Sequence, residues 1–232
     1  MIHKKYLGYF VFLILVGFPM WVVMGLFRLA FLFAFGDISL FPLQDIFQGL
    51  LLGSRFDLVV VAYTWLVPLL LATCLAVFCW QKGLALLQKI SRYWFGIFYV
   101  FLLLVLIADF GFYSFFQDRL NVLIFGLFHD DTWALIATVL KNYPVFRVTI
   151  GLVVIYWLTL KLCTWASEVS NKIASGLQKW PNGITRSLTV TPLLLAALAA
   201  RGTLAMYPLN QMDTAISNYQ FINIMSFDGV HA

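Results

Sequence analysis

The sequence predicts an all-α membrane protein, a five-transmembrane-helix bundle with short amphipathic interfacial helices on the outer side. Of its 232 residues, 62% are hydrophobic and only 11% are charged, whereas a soluble domain has about 45–50% apolar and about 25% charged residues. The apolar residues also fall in continuous runs, and a helix needs about 20 such residues to cross a hydrocarbon core of about 30 Å. A membrane β-barrel would instead show alternating segments of about 10 residues.

Five runs are long enough to be spans, and they lie at about 6–28, 56–80, 93–117, 144–165 and 184–201. The first run is longer than the apolar region of a signal peptide, about 7–15 residues, and no small-residue cleavage site follows it, so we interpret it as a retained span. The fifth run is the shortest, and its stretch Ala196–Ala200 predicts close packing against a neighbouring helix.

The basic residues predict that the N-terminus lies in the cytoplasm and the C-terminus outside it. With this orientation, nine of the fifteen basic residues fall on the cytoplasmic side, where lysine and arginine are retained. These are Lys4, Lys5, Lys82, Lys89, Arg92, Lys161, Lys172, Lys179 and Arg186. The only acid among them is Glu168, and residues 206–232 become an extracytoplasmic linker segment.

Two connecting segments have the pattern of helices that lie on the outer membrane interface. In 40–54, Leu43, Phe47 and Leu50 share one helical face and polar residues share the other. In 131–143, Trp133 and Leu140 belong to an apolar stripe, and Pro144 discourages continuation of the helix. Ordinary packed loops are the alternative for both segments. A third surface helix is predicted over 210–227.

Motifs that carry chemistry are not found in the sequence. The three histidines lie far apart, no cluster has metal-ligand spacing, and there is no phosphate-binding loop or nucleophile elbow. Cys74, Cys79 and Cys163 lie in apolar runs and fit neither a zinc site nor a disulfide framework. No basic run with interleaved aromatic residues suggests nucleic-acid binding. We therefore predict no catalytic residue and no metal ligand.

Ionisable residues near the outer membrane boundary form the candidate site. A charge within a span costs about 2.5–3.5 kcal/mol on insertion scales and is usually paired or lines a polar cavity. Asp109 is the clearest case, and we predict that it pairs with Arg55 or Arg119. Two interpretations stay open. One is a purely structural ion pair; the other is a pocket for an anionic lipid headgroup, formed by Arg55, Asp57, Asp109, Arg119 and Arg201.

Several short motifs, in this order and spacing, resemble the membrane domain of the lipoteichoic acid synthase-like family. These are bacterial phosphoglycerol transferases of the sulfatase superfamily. The motifs are Gly53–Leu58, Ala108–Tyr113, Asp118–Asn121, Asp130–Thr132, Lys141–Pro144, Arg201–Leu204, Pro208–Asn210, Ser217–Asn218 and Phe221–Asn223. They cover nearly the whole chain.

The resemblance implies a five-helix membrane domain that precedes a large extracytoplasmic catalytic domain. In the family that domain carries a threonine nucleophile and a manganese-type metal site, and it moves glycerol phosphate from phosphatidylglycerol to a growing chain. No position in this sequence matches the nucleophile or metal-ligand motifs, so the resemblance implies no cofactor here. The chain is then either the membrane part of a longer protein or a natural short version.

The function implied is a membrane anchor in the bacterial cytoplasmic membrane that is not catalytic alone. Its expected partners are membrane lipids, with phosphatidylglycerol as the candidate substrate, and an extracytoplasmic catalytic domain or another membrane protein. The alternatives are a small stand-alone transporter and a structural or assembly protein. A transporter usually has polar residues at mid-membrane, whereas the middles of these runs are nearly uncharged.

Overall fold

The computed structural model describes residues 2–119, 145–176, 181, 189–205 and 207–227. Within these residues the protein is all helical and contains no strand, as predicted. Its six α-helices are α1 Ile2–Phe35, α2 Leu43–Val77, α3 Gln81–Phe116, α4 Val145–Gly176, α5 Thr191–Arg201 and α6 Gln220–Ser226. Two single-turn 3-10 helices, Ile38–Leu40 and Gln211–Thr214, lie between them.

Four helices are long and apolar enough to cross a membrane. Helices α1 to α4 contain 34, 35, 36 and 32 residues, and at 1.5 Å per residue each exceeds a hydrocarbon core of about 30 Å. Large apolar side chains such as Phe18, Leu26 and Phe101 remain exposed on their outer faces. Such a surface is expected of a multi-pass membrane protein, in which lipid contacts apolar side chains that would be unfavourable in water.

Helix α1 lies at the centre of the bundle and packs against α2, α3 and α4. Its residues Phe12, Leu13 and Val16 are fully buried in one apolar core with Leu69 of α2 and Phe95 of α3. Within this core the Tyr99 hydroxyl donates to the Val16 carbonyl oxygen at 2.6 Å, as is usual for a buried polar group.

The bundle has two ends, which we define by the residues found there. At the basal end, the start of α1 meets the last turns of α4, where Ser170 Oγ donates to the Gly8 carbonyl oxygen at 2.6 Å. At the apical end, α1 finishes, α2 begins and α6 packs against them. His3 Nδ1 and Thr189 Oγ1, at 3.1 Å, place the start of the last described segment at the basal end.

The final segment, from Thr189 to Phe227, runs from the basal end to the apical end. Helix α5 packs on α2 and ends at Gly202, whose φ of +69° is left-handed and whose N–H caps the last turn. Beyond a mainly non-helical stretch, α6 reaches the apical end, where it contacts α2 and α1.

The structure differs from the sequence prediction in the region of the second span. The predicted separate interfacial helix at 40–54 is continuous with that span, because Leu43–Val77 is one helix. No stop signal separates the two parts, and Pro68 is accommodated within the helix. The other predicted interfacial helix, 131–143, lies outside the described residues.

The fifth predicted span and the C-terminal linker also differ from the prediction. Helix α5 begins only at Thr191, with Pro192 in its first turn, and its 11 residues extend about 16 Å, roughly half of a hydrocarbon core. Part of the predicted span 184–201 lies outside the described residues. The predicted surface helix at 210–227 is instead one 3-10 turn and the short α6, whose Ile222 and Met225 are fully buried.

Candidate functional site

The first part of the apical site is a salt bridge between α1 and α2. Arg28 Nη2 lies 2.5 Å from Asp57 Oδ1, and the two residues are 4% and 0% exposed. The same Nη2 donates to the Gly53 carbonyl oxygen at 3.1 Å. Gly53 makes room for this guanidinium, because a Cβ there would lie 2.3 Å from Arg28 Cζ.

The second part is a salt bridge that α3 makes with the residues just beyond its own end. Gln117 ends the helix in the left-handed conformation, with φ 55°, and the chain turns so that Arg119 Nη1 donates to Asp109 Oδ2. Asp109 is 2% exposed. The Arg119 guanidinium also lies over the Phe31 ring, 3.7 Å from its centroid, which is a cation–π contact.

Both arginines converge on the last turn of α6. Arg28 Nη1 donates to the Met225 carbonyl oxygen at 2.6 Å, and Arg119 Nε donates to the Ile224 carbonyl oxygen at 3.2 Å. The final carbonyls of a helix lack helical partners and carry partial negative charge, so cations stabilise them. We name Arg28, Asp57, Asp109 and Arg119 the four-charge cluster; it joins α1, α2, α3 and α6.

The two salt bridges lie close together, since Arg28, Asp109 and Arg119 line one cavity of about 10 Å³. A volume of this size holds at most about one water molecule. The formal charges of the cluster sum to zero. Packed in this way, the four charges compensate one another inside the bundle, and the space between the two salt bridges is too small for a substrate. Arg28 and Asp57 also line a separate cavity of about 310 Å³ between α1 and α2, whose other lining residues are mostly apolar.

Helix α6 is also held by apolar packing. The Phe221 ring stacks on Phe31 and Phe41, with ring centroids 5.6 Å and 5.5 Å apart and interplanar angles of 10° and 4°. A Cβ at Gly49 would lie 2.9 Å from Met225 Cε. Gly49 and Gly53, which form a small-xxx-small pattern, therefore give α2 the close approach to α6 and Arg28.

Polar contacts, which we name the polar brace, join Asn223 of α6 to the residues just before that helix. Asn223 Oδ1 accepts from the backbone N–H groups of Ile216 and Ser217 at 3.2 and 3.0 Å, and Asn223 Nδ2 donates to the Ser217 carbonyl oxygen at 2.8 Å. Ser217 Oγ donates to Asp45 Oδ2 of α2 at 2.5 Å. The segment predicted as a linker is thus bonded to the bundle through residues 216–226.

Of the five predicted site residues, the structure brings three together. Asp57, Asp109 and Arg119 belong to the four-charge cluster, and Asp109 pairs with Arg119, one of its two predicted partners. Arg55 is exposed, and no described acid forms an ion pair with it. Arg201 is exposed at the end of α5, where its Nη2 donates to the Ala205 carbonyl oxygen at 2.5 Å. The predicted fork of three arginines is not assembled.

Sequence reasoning did not place Arg28 in the site. A signal was available, because Arg28 is the only charged residue between Lys5 and Asp37. A single charge in so long an apolar stretch requires a buried partner or a polar cavity. The partner lies 29 residues further along the chain, on another helix.

Among the described residues, no group of three or more histidine, cysteine, aspartate or glutamate side chains could hold a metal ion. Comparisons with protein-family models, with curated proteins and with solved structures each gave no match.

Proposed function

We propose that this chain is the membrane-anchoring domain of a lipoteichoic acid synthase-like transferase of the bacterial cell envelope, which holds and orients an extracytoplasmic catalytic domain. The observation that carries the proposal is the four-charge cluster, because it fixes the C-terminal helix α6 to three membrane helices at once. A rigid exit from the membrane is what such an anchor needs in order to position a following domain.

The proposal includes a fifth crossing that ends outside the cytoplasm. It is supported by the path from Thr189 beside His3 to Met225 beside Arg28. The basal end also carries the basic residues that are retained in the cytoplasm, among them Lys89 and Arg92. We infer an N-terminus inside the cytoplasm and a C-terminus outside it.

Anchoring is favoured over transport by the middle of the bundle. No charged residue lies within 6–27, 58–81, 93–108 or 148–160, although transporters usually bind substrates and ions near the midplane. The lipid-presenting part of the proposal is assigned to Arg55 and Arg201, since both side chains are exposed while the cluster is internally compensated.

Reading the gene beyond codon 232 tests the proposal. An in-frame region with a threonine nucleophile and metal ligands of the sulfatase type supports an anchor, and a stop codon at that point contradicts it. A biochemical test uses the 232-residue chain reconstituted with phosphatidylglycerol and Mn²⁺. We expect no release of diacylglycerol; release would reveal an active site within this chain.

A further inference from the structure

The basal end of the bundle contains a second polar feature, a cavity of about 310 Å³ between α1, α3 and α4. Four cationic side chains line it: Lys4 and Lys5 from α1, and Lys89 and Arg92 from α3. Gln88 and Asn171 add amide groups. We name this feature the basal cavity.

The charge of the basal cavity is not compensated by acids in the described lining, which contains no aspartate or glutamate. Glu168 is the only acid between Asp131 and Asp213 in the sequence, and it is exposed and absent from this lining. Four cations around one small volume repel one another, so an anion in that volume would lower their free energy.

Lys5 and Lys89 are exposed, but retention of basic residues in the cytoplasm does not account for the burial of Lys4. A lysine that serves only as an orientation signal extends into water, whereas Lys4 is only 8% exposed. Arg92 Nε and Gln88 Nε2 are buried donors that have no hydrogen-bond acceptor among the described residues. A buried donor without an acceptor is destabilising, so both groups would gain from an acceptor beside them.

The lining of the basal cavity contains the side chains that bind phosphate groups in proteins. Arginine supplies a planar fork that matches phosphate oxygens, and lysine supplies a compact charge. The volume is at the lower end of the range for small-molecule sites, about 300–1,000 Å³. Basic pockets between membrane helices at the cytoplasmic side also bind anionic lipid headgroups.

We propose that the basal cavity binds a phosphate group, carried either by an anionic phospholipid of the adjoining leaflet or by a soluble phosphate ester. Arg92 and Lys89 bind the phosphate oxygens from α3, and Lys4 and Lys5 bind them from α1. The site is separate from the apical cluster, because Lys4 and Arg28 are 24 positions apart on α1, a distance of about 36 Å. It therefore stands whether or not the proposed anchoring function is correct.

The test compares two phosphate sources on the full chain in detergent. Isothermal titration calorimetry with inorganic phosphate and sn-glycerol 3-phosphate measures the soluble source. Native mass spectrometry after incubation with equal amounts of phosphatidylglycerol and phosphatidylcholine measures the lipid source. Selective retention of phosphatidylglycerol assigns a lipid headgroup, and saturable binding of the soluble esters alone assigns a soluble ligand. Either result supports the site, and no binding in both arms overturns it.

Variants of the lining residues test whether phosphate binds in the basal cavity itself. Arg92→Gln should weaken binding about tenfold or more, because it removes a charge-assisted hydrogen bond. Lys82→Gln removes the same charge from the same end of α3, but Lys82 is exposed and outside the lining, so it should change affinity less than about twofold. Equal losses in the two variants would overturn the proposal in favour of diffuse surface charge.

A double substitution on α1 provides a second test that does not depend on the arginine variant folding correctly. Lys4→Gln with Lys5→Gln removes two cations from the α1 side of the cavity and should also weaken binding, with helical content unchanged by circular dichroism. Arg92→Lys keeps the charge but lacks the fork, and it should restore only part of the affinity. Unchanged binding in the Lys4 and Lys5 double variant would contradict the assignment.

Discussion

Removing the carboxylate of Asp57 should destabilise the protein strongly, because it leaves the Arg28 charge buried without its counter-ion. We consider Asp57→Leu. Arg28 is 4% exposed, and its salt bridge to Asp57 is 2.5 Å long. Breaking a buried ion pair from one side costs about 3–5 kcal/mol. That loss is a large fraction of a typical stability of about 5–15 kcal/mol.

Removing both charges should cost less than removing one. In Arg28→Met with Asp57→Leu, no unpaired charge remains, and apolar replacements of buried ion pairs are often close to neutral. The remaining loss comes from the Met225 carbonyl oxygen, which loses its donor, at about 1–3 kcal/mol. The Gly53 carbonyl oxygen lies within α2 and still accepts a backbone hydrogen bond of that helix. The double variant should therefore be more stable than Asp57→Leu alone.

The assay is reversible unfolding in mixed detergent micelles, followed by the fluorescence of the tryptophans. Asp37→Leu is the matched control, since Asp37 is an exposed carboxylate at the same end of the protein. It caps a 3-10 turn, so its loss should cost about 1 kcal/mol. Equal losses for Asp57→Leu and Asp37→Leu would refute the reasoning, and so would strictly additive losses in the double variant.

Three further predictions concern the apical end. Gly53→Ala should destabilise the protein by about 1–3 kcal/mol, because the new methyl group would clash with Arg28. Gly25→Ala is the control and should be neutral or stabilising, because a Cβ there meets no atom within 4 Å. Unfolding of the two variants in detergent compares them, and equal effects would contradict the packing account. Asn223→Ala should speed amide hydrogen exchange in α6, because three bonds to residues 216 and 217 are lost; unchanged exchange would show that the brace is not needed. A periplasmic-type reporter enzyme fused after Ala232 should be active outside the cytoplasm, and activity only of a cytoplasmic reporter at that position would reject the proposed orientation.

Four long apolar helices could be predicted from composition, but their ends could not. Hydropathy ends the first run at Arg28, yet α1 continues to Phe35. The helix tolerates this charge because Asp57 and two carbonyl oxygens from other parts of the chain compensate it. The amphipathic start of α2 also continues into its apolar part, because no stop signal separates them. Compensation between helices is a tertiary property that a local window of sequence does not contain.

The two ends of the bundle show which charged clusters call for a ligand and which do not. At the apical end, two arginines meet two aspartates and two helix-terminal carbonyls, so each positive charge is paired with an acid of the protein. At the basal end, four cations surround about 310 Å³ without a described acid in the lining. The sequence drew attention to Asp109 because it follows a long apolar run, and it concealed the basal charges because lysine is expected on that side. Charge balance within a cavity, and not the rarity of a charge along the chain, is therefore the better guide to binding in this protein.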